Sequence, residues 1–289
     1  MRIGDLIAAG PTLSVELFPP RTEDGRAALR RTIGEFDVLD LSFASVTSGA
    51  GGGNAEVRAL TRDLVVELCA TEPYPTMPHL TCMGYERHEL EELVADYAAH
   101  GVRNILALAG DPPADGGEPR GDFRFASELV ELVASTGEFS IGVAAFPEVH
   151  PRSTDRSEDR RRLAAKLSAA DFGITQFFYD ADDYFTMVDE LAAIGCTTPV
   201  LPGIMPMLNP TSIRRFAAMN HARFPEDLAA RVDEASSADD RLAIAVEAAV
   251  SLCAQLLERG VPGLHLYCLN RSEAVIAIVE ALGLRPIPG

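Results

Sequence analysis

Short runs rich in β-branched and aromatic residues alternate with amphipathic helical stretches along the whole chain. The stretches between the runs, such as RHELEELVADYAAHG, place apolar residues every three or four positions and stop at a glycine or a polar turn. The predicted strands are, in order, 12–18, 38–46, 79–83, 104–109, 140–146, 172–178, 199–205 and 263–269. Eight strands with intervening helices predict an α/β protein, a (β/α)8 TIM barrel. A doubly wound open sheet is the alternative, which strand counting alone does not exclude.

The segment 211–260 departs from a minimal barrel. It contains about three helical stretches between the seventh and eighth predicted strands, which indicates an insertion. These helices could cover the mouth of the barrel or form a subunit contact, and a homo-oligomer stays open. No linker or low-complexity tract divides the chain, so we predict a single catalytic domain over 1–289.

The charge balance limits the partners. A net charge of −18 argues against nucleic acid as the main partner and against an anionic membrane surface. No window has the length of a membrane helix, and MRIGDLIAAGPTLS lacks the long apolar core of a secretory signal. The five cysteines form no CxxC pair, which is typical of reduced thiols. We therefore predict a cytoplasmic protein.

The stretch SVELFPP places a carboxylate within an apolar run. Strand alternation puts Ser14 and Glu16 on one face and Val15 and Leu17 on the other. If Val15 and Leu17 pack against helices, Glu16 points toward the barrel axis. A buried carboxylate without a partner is costly, so Glu16 either faces solvent or has a chemical role in a cleft.

Further polar residues follow the predicted strands, at the barrel face where active sites gather. They are Thr47, His79, Thr81, Asp111, Glu148, His150, Gln176 and Asn270. Capping of the next helix is the competing interpretation for the acids and amides. Asp111 could instead order a turn before two prolines, and His150 could be a structural histidine. His79, Asp111, Glu148 and His150 could be metal ligands, but no HxH or HExxH spacing supports this, and we predict no metal. No GxGxxG or GK[ST] motif indicates a nucleotide loop.

One dense basic segment, HPRSTDRSEDRRRLAAK, stands out in this acidic chain. Its cations could bind phosphate. These are Arg156, Arg160, Arg162 and Lys166. A solvated helix face with Asp155, Glu158 and Asp159 is the alternative interpretation.

Several stretches together resemble the methylenetetrahydrofolate reductase family in its short bacterial form, which has no regulatory domain. They include VELFPPRTEDG, GVRNILALAGDPP, VAAFPEVHPRS, ITQFFYDADDYF, PVLPGIMPMLN and GVPGLHLYCLNRSE, in order from residue 14 onward. The resemblance implies a (β/α)8 barrel, bound FAD, and NADH or NADPH as donor. It also implies reduction of 5,10-methylenetetrahydrofolate to 5-methyltetrahydrofolate.

The resemblance also implies roles for individual residues. Glu16 matches the general acid, and Asp111 matches a carboxylate near flavin and pterin. Gln176 matches a substrate-binding glutamine, and Phe216 matches an aromatic residue beside the ligand that stacks on the flavin. The implied FAD contacts are Thr47, His79, Gly110, Asp111, Phe125, Ala126, Phe146, His150, Asp159, Arg162 and Lys166.

The chain departs from the family pattern near the implied flavin. Ala109 stands where an arginine is usual, Ser48 where a tyrosine is often found, and Ser212 where a glutamine is often found. The loop GAGGGNAE also lacks a common arginine. We therefore expect weaker FAD binding than in the relatives. Direct hydride transfer without flavin and a non-catalytic folate- or flavin-binding barrel remain alternatives.

Overall fold

The computed structural model describes residues 1–48, 55–110, 117 and 120–284. Within these residues, parallel strands alternate with α-helices. The strands are β1 (Thr12–Leu17), β2 (Phe43–Val46), β3 (Thr76–Thr81), β4 (Asn104–Leu108), β5 (Ser140–Ala145), β6 (Phe172–Thr175), β7 (Val200–Leu201), β8 (Gly203–Ile204) and β9 (Gly263–Tyr267). The helices are α1 (Ile3–Ala9), α2 (Glu23–Glu35), α3 (Ala55–Thr71), α4 (Arg87–Ala99), α5 (Ala126–Thr136), α6 (Arg156–Leu167), α7 (Ala181–Ala193), α8 (Pro210–Asn220), α9 (Glu226–Asp233), α10 (Ala238–Glu258) and α11 (Glu273–Ala281).

The sheet closes into a barrel, and its two edges meet at one interrupted strand. The spatial order is β7-β6-β5-β4-β3-β2-β1-β9-β8, and every pairing is parallel. Only Pro202, which has no N–H to donate, separates β7 from β8. Because β7 pairs with β6 and β8 pairs with β9, this divided seventh strand joins the two edges. The predicted barrel is confirmed, and the open-sheet alternative is wrong.

The insertion is also confirmed. Three helices, α8, α9 and α10, lie between β8 and β9. Asn209 caps α8, accepting a hydrogen bond from the Ser212 N–H at 3.0 Å. Ser237 caps α10 in the same way, with Asp240 N–H as donor at 3.0 Å. No helix in the described ranges is long and apolar enough to span a bilayer.

Several predicted strand boundaries are wrong. The second predicted strand, 38–46, is a strand only over Phe43–Val46, because its first residue belongs to a 3-10 helix at Phe36–Val38, which buries Phe36. The third begins earlier than predicted, at Thr76, since its first residues also pack inside. The sixth ends at Thr175, because the following aromatic residues are buried in a loop.

The sequence patterns did not predict α1, which covers the N-terminal end of the barrel. Ile3 N–H donates to Asn104 Oδ1 at 2.7 Å, and Gly4 N–H donates to Ser140 Oγ at 3.0 Å. Asn104 and Ser140 begin β4 and β5, so both bonds hold α1 against strand starts. Ile3 is fully buried. The apolar cluster beneath α1 contains Phe43, Met77, Leu106, Phe172, Ile174 and Leu201.

Candidate active site

Glu16 lies inside the barrel, as strand alternation predicts. Val15 and Leu17 are buried in the outer core that the surrounding helices share. Glu16 therefore projects from the opposite face of β1. Its Oε2 lies 3.4 Å from His79 Nε2 and 4.0 Å from His265 Nε2. These distances place one carboxylate against two imidazoles at the centre of the barrel.

Both imidazoles are buried and have unused hydrogen-bonding capacity. The Nε2 atoms of His79 and His265 find no hydrogen-bond partner among the described residues. Burial lowers the pKa of His79, His265 lowers it further, and Glu16 opposes the shift. Unsatisfied buried polar atoms are uncommon in folded proteins and often mark a functional site. The two imidazoles can therefore form hydrogen bonds to a bound ligand or to a protonated Glu16 carboxyl group.

The tautomer of His265 follows from its other nitrogen. Nδ1 lies 2.9 Å from Ser14 Oγ, and that hydroxyl also lies 3.2 Å from the Leu264 carbonyl. When the hydroxyl donates its only proton to that carbonyl, His265 Nδ1–H is the donor to Ser14. In the neutral ring, Nε2 presents a lone pair toward Glu16. Sequence reasoning missed His265, although its alternation with Leu264 and Leu266 in β9 could have indicated it.

Tyr267 was also missed. Its hydroxyl donates to the Thr175 carbonyl at 2.6 Å, and its ring meets His265 edge-on with centroids 5.4 Å apart. Burial, and secondarily Glu16, raises the pKa of Tyr267 well above its usual value. Gly203 makes room for this ring, because a Cβ there would lie 2.6 Å from Tyr267 Cε2. Tyr267 thus stays a neutral donor in the wall of the site.

Gln176 and Phe216 approach the site from different elements. Gln176 follows β6, and its Oε1 accepts a hydrogen bond from Phe177 N–H at 3.0 Å. Phe216 lies on α8 and is partly buried in a cluster with Phe177 and Tyr267. Gln176 and Phe146 line the same small cavity. The insertion helix therefore brings its aromatic residue to the barrel mouth.

Arg160 does not have the role expected from the basic segment. Its buried guanidinium donates to the carbonyls of Phe146, Pro147 and Glu148 at 3.1, 2.6 and 3.0 Å. It also pairs with Asp159 at 2.7 Å and with a further carboxylate on α7. The structure contradicts the expectation that Arg160 offers its charge to phosphate, because these contacts use its donors to fix the loop after β5.

Lys166, with His150 beside it, forms a cationic corner near the end of β5. Lys166 Nζ donates to the Ala144 carbonyl at 2.5 Å, and burial lowers its pKa to about 8. The His150 ring packs against Phe146 with centroids 4.5 Å apart. Its Nδ1 accepts from Arg152 N–H at 3.1 Å, so the neutral ring carries its proton on Nε2. Burial first, then Lys166 and Arg152, lower the pKa of His150.

Asp159 and Arg162 have partners within the protein. Asp159 is buried, and its Oδ1 accepts from His150 N–H at 3.2 Å and Ser153 Oγ at 2.8 Å. Arg162 is exposed on α6 and pairs with Glu158. Asp159 therefore holds the loop that carries His150 by hydrogen bonds, whereas Arg162 faces solvent.

The remaining predicted cofactor residues lie on the loops that follow β2 and β4 and at the start of α5. Thr47 N–H donates to the Leu17 carbonyl at 2.9 Å. Gly110 has φ +88°, and its carbonyl accepts from Arg152 Nη2 at 2.9 Å. Phe125 is 64% exposed and precedes Ala126, the first residue of α5. Asp111 lies outside the described residues. Among those described, no cluster of His, Cys, Asp and Glu could hold a metal ion.

Comparison with known proteins identifies the family. A family model described as methylenetetrahydrofolate reductase matches residues 2–283. The chain belongs to the methylenetetrahydrofolate reductase family. The 5,10-methylenetetrahydrofolate reductase of Pectobacterium carotovorum subsp. carotovorum is 36% identical over 276 residues, covering 95% of this chain and 91% of that protein. The Escherichia coli K12 enzyme of the same name is 35% identical, with the same coverage. The predicted membership in this oxidoreductase family is confirmed.

A solved structure supports the fold. An uncharacterised Clostridium thermocellum protein that binds two copies of 5-methyl-5,6,7,8-tetrahydrofolic acid superposes with a TM-score of 0.66. The match covers 98% of this chain and 99% of that one, at 12% identity. At this identity the likeness establishes a shared barrel architecture, while family membership rests on the sequence relatives.

Proposed function

We propose that this chain reduces 5,10-methylenetetrahydrofolate to 5-methyltetrahydrofolate, with NADH or NADPH as hydride donor and a bound flavin. One observation carries the proposal within this family. Glu16 lies on the barrel axis against two buried imidazoles whose facing nitrogens are unpaired among the described residues. A carboxyl group in that setting can hold a proton and deliver it to a bound substrate.

The reaction explains why the site needs such an acid. The methylene group bridges N5 and N10 of the folate, and it accepts hydride only after the ring opens to an iminium cation at N5. Ring opening requires a proton on N10, which Glu16 supplies. Asp111 then stabilises the cation by its charge.

The residues present fit a flavin. His79 Nε2 is a buried polar atom without a hydrogen-bond partner in the described chain, and Lys166 Nζ makes one hydrogen bond where an ammonium offers three donors. We expect Lys166 and His150 to bind its anionic part, with His79 and Phe125 beside it. Gln176 would orient the folate, and Phe216 would stack on the ligand. The flavin would supply stepwise hydride transfer between nicotinamide and folate.

A flavin-independent reductase is the second candidate, and Ala109 favours it. Ala109 ends the β4 segment without a side-chain donor, and the nearby Arg124 already donates to the carbonyls of Gly121 and Phe123 at 2.7 and 2.9 Å. Direct hydride transfer from nicotinamide to the folate needs the same acid at Glu16. It does not need the cationic corner to bind a flavin.

The visible absorption spectrum of the purified protein, measured with turnover assays for both donors, separates the candidates. A flavin band with folate reduction supports the proposal. Turnover without any flavin, in protein that does not respond to added FAD, supports direct transfer. Absence of turnover with either donor contradicts both.

All five cysteines are free, which supports the proposed cytoplasmic location.

A further inference from the structure

The turn after β9 has an unusual backbone. Leu269 and Asn270 both adopt left-handed conformations, with φ of 50° and 56°. Two consecutive non-glycine residues rarely adopt this conformation, and such strain persists only where surrounding contacts enforce it. The strained turn begins two residues after Tyr267, at the mouth of the barrel. It also explains why the eighth predicted strand ends before residue 269.

The side chain of Asn270 clamps the end of β1. Its Oδ1 accepts from Phe18 N–H at 3.0 Å, and its Nδ2 donates to the Phe18 carbonyl at 2.8 Å. Cys268 Sγ donates to the Glu16 carbonyl at 2.9 Å. These three hydrogen bonds hold the chain at Glu16 and at Phe18, two residues further on. The last backbone pair between β1 and β9 is Glu16 with Tyr267, so the clamp continues the pairing where the ladder stops.

Neighbouring residues show why the clamp is needed. Phe18 is followed by Pro19 and Pro20, which have no N–H and cannot extend a ladder. The turn is itself anchored, because Thr32 Oγ1 on α2 donates to the Asn270 carbonyl at 3.0 Å. The Glu16 carboxylate accepts no hydrogen bond from the described residues. Its position therefore depends on where the backbone of β1 is held.

We propose that Asn270 is a positioning residue for Glu16. It holds the end of β1 so that the carboxylate stays against His79 and His265, where it can protonate the folate. The inference rests on the proposed function for its catalytic consequence, but the positioning itself can be measured without catalysis. The strained turn at Leu269 and Asn270 presents the amide to both polar groups of Phe18.

The test uses Asn270→Gly, which tolerates the left-handed backbone but removes both clamp bonds. Leu269→Gly is the matched control, since it relaxes the neighbouring residue and leaves both bonds in place. NMR titration reports the Glu16–His79 contact directly. Glu16 opposes the lowering of the His79 pKa, with His265 acting in the other direction. We expect the His79 pKa to fall further in Asn270→Gly and to stay unchanged in Leu269→Gly.

The kinetic arm measures folate reduction and, separately, oxidation of the nicotinamide with a quinone as artificial acceptor. Displacement of a catalytic group by about 1 Å costs on the order of 100-fold in rate. We expect Asn270→Gly to lower kcat for folate reduction by roughly 10- to 100-fold, with the quinone reaction little changed. An unchanged His79 titration, or equal loss of both reactions with a lower Tm, would overturn the positioning role. A shifted titration in a protein whose native form reduces no folate would instead overturn the proposed function.

Discussion

Glu16 Oε2 lies 3.4 Å from His79 Nε2, although the two residues sit on strands that are not neighbours in the sheet. The contact exists because β1 and β3 both turn one face toward the barrel axis. Each strand buries its other face against helices, as Val15 and Leu80 do. The closed sheet thus brings side chains from separate strands together at the barrel axis.

Glu16→Gln should separate the two halves of the reaction. The amide cannot deliver a proton to N10, but nicotinamide oxidation requires no such proton. We expect folate reduction to be nearly abolished while reduction of the flavin by nicotinamide is almost unchanged. Stopped-flow traces with each substrate alone measure both steps. Equal losses in the two half-reactions would assign Glu16 a structural role.

Lys166→Ala should weaken flavin binding more than Arg162→Ala. Lys166 Nζ is partly buried beside His150, whereas Arg162 is exposed and already paired with Glu158. Loss of one charge-assisted contact costs about 1–3 kcal/mol. Fluorescence titration of FAD into each variant measures the difference. Unchanged FAD affinity in both variants would favour the alternative interpretation, in which these cations form a solvated face of α6.

Flavin affinity should depend on pH through Lys166. Burial lowers the pKa of this lysine to about 8, so in the free protein it is charged below that pH and neutral above it. An anion binds the charged form better, so affinity is greatest below pH 8 and falls as the pH rises through it. The loss approaches tenfold per pH unit if the ammonium is required. Lys166→Arg, whose guanidinium stays charged, should give a flat profile over pH 7 to 10, and a curve parallel to that of the native protein would exclude Lys166.

Ala109→Arg should tighten FAD binding. Alanine offers no charge-assisted hydrogen bond at the end of β4, and such a bond is worth about 1.5–3 kcal/mol, or roughly 10- to 100-fold in affinity. Arg152, which donates to the Gly110 carbonyl, has a guanidinium that could compensate. Fluorescence quenching on the native protein, Ala109→Arg and Arg152→Ala measures both effects. Stoichiometric, non-dialysable FAD in the native protein contradicts weak binding.

Arg160→Ala should destabilise the fold. It removes three carbonyl contacts and leaves Asp159 buried without its ion-pair partner. Breaking a buried pair in this way costs about 3–5 kcal/mol. Arg161→Ala is the control, because Arg161 is exposed and its side chain donates, among the described residues, only to Ser157 Oγ at 3.1 Å. Urea unfolding should show a large loss for the first variant and almost none for the second, and similar values would contradict the proposed anchoring of the β5 loop.

The amino-acid sequence determined the alternation of strands and helices and the direction of Glu16. Both follow from short-range periodicity, because a strand alternates its faces every residue and a helix repeats about every three and a half. The position of Glu16 between Val15 and Leu17 was therefore enough to point it inward. The helical pattern over 211–260 likewise predicted the insertion.

Tertiary structure decided which polar side chains had partners. Arg160 and Arg162 look alike in the sequence, yet only Arg160 reaches the carbonyls after β5. His265 and Asn270 lie about 250 residues from Glu16 in the chain, and only closure of the ring places β9 beside β1. Hydrogen bonds across such separations depend on the fold as a whole. Local residue patterns do not encode these bonds. The hydrogen bonds between Asn270 and Phe18 could therefore be identified only from the tertiary structure.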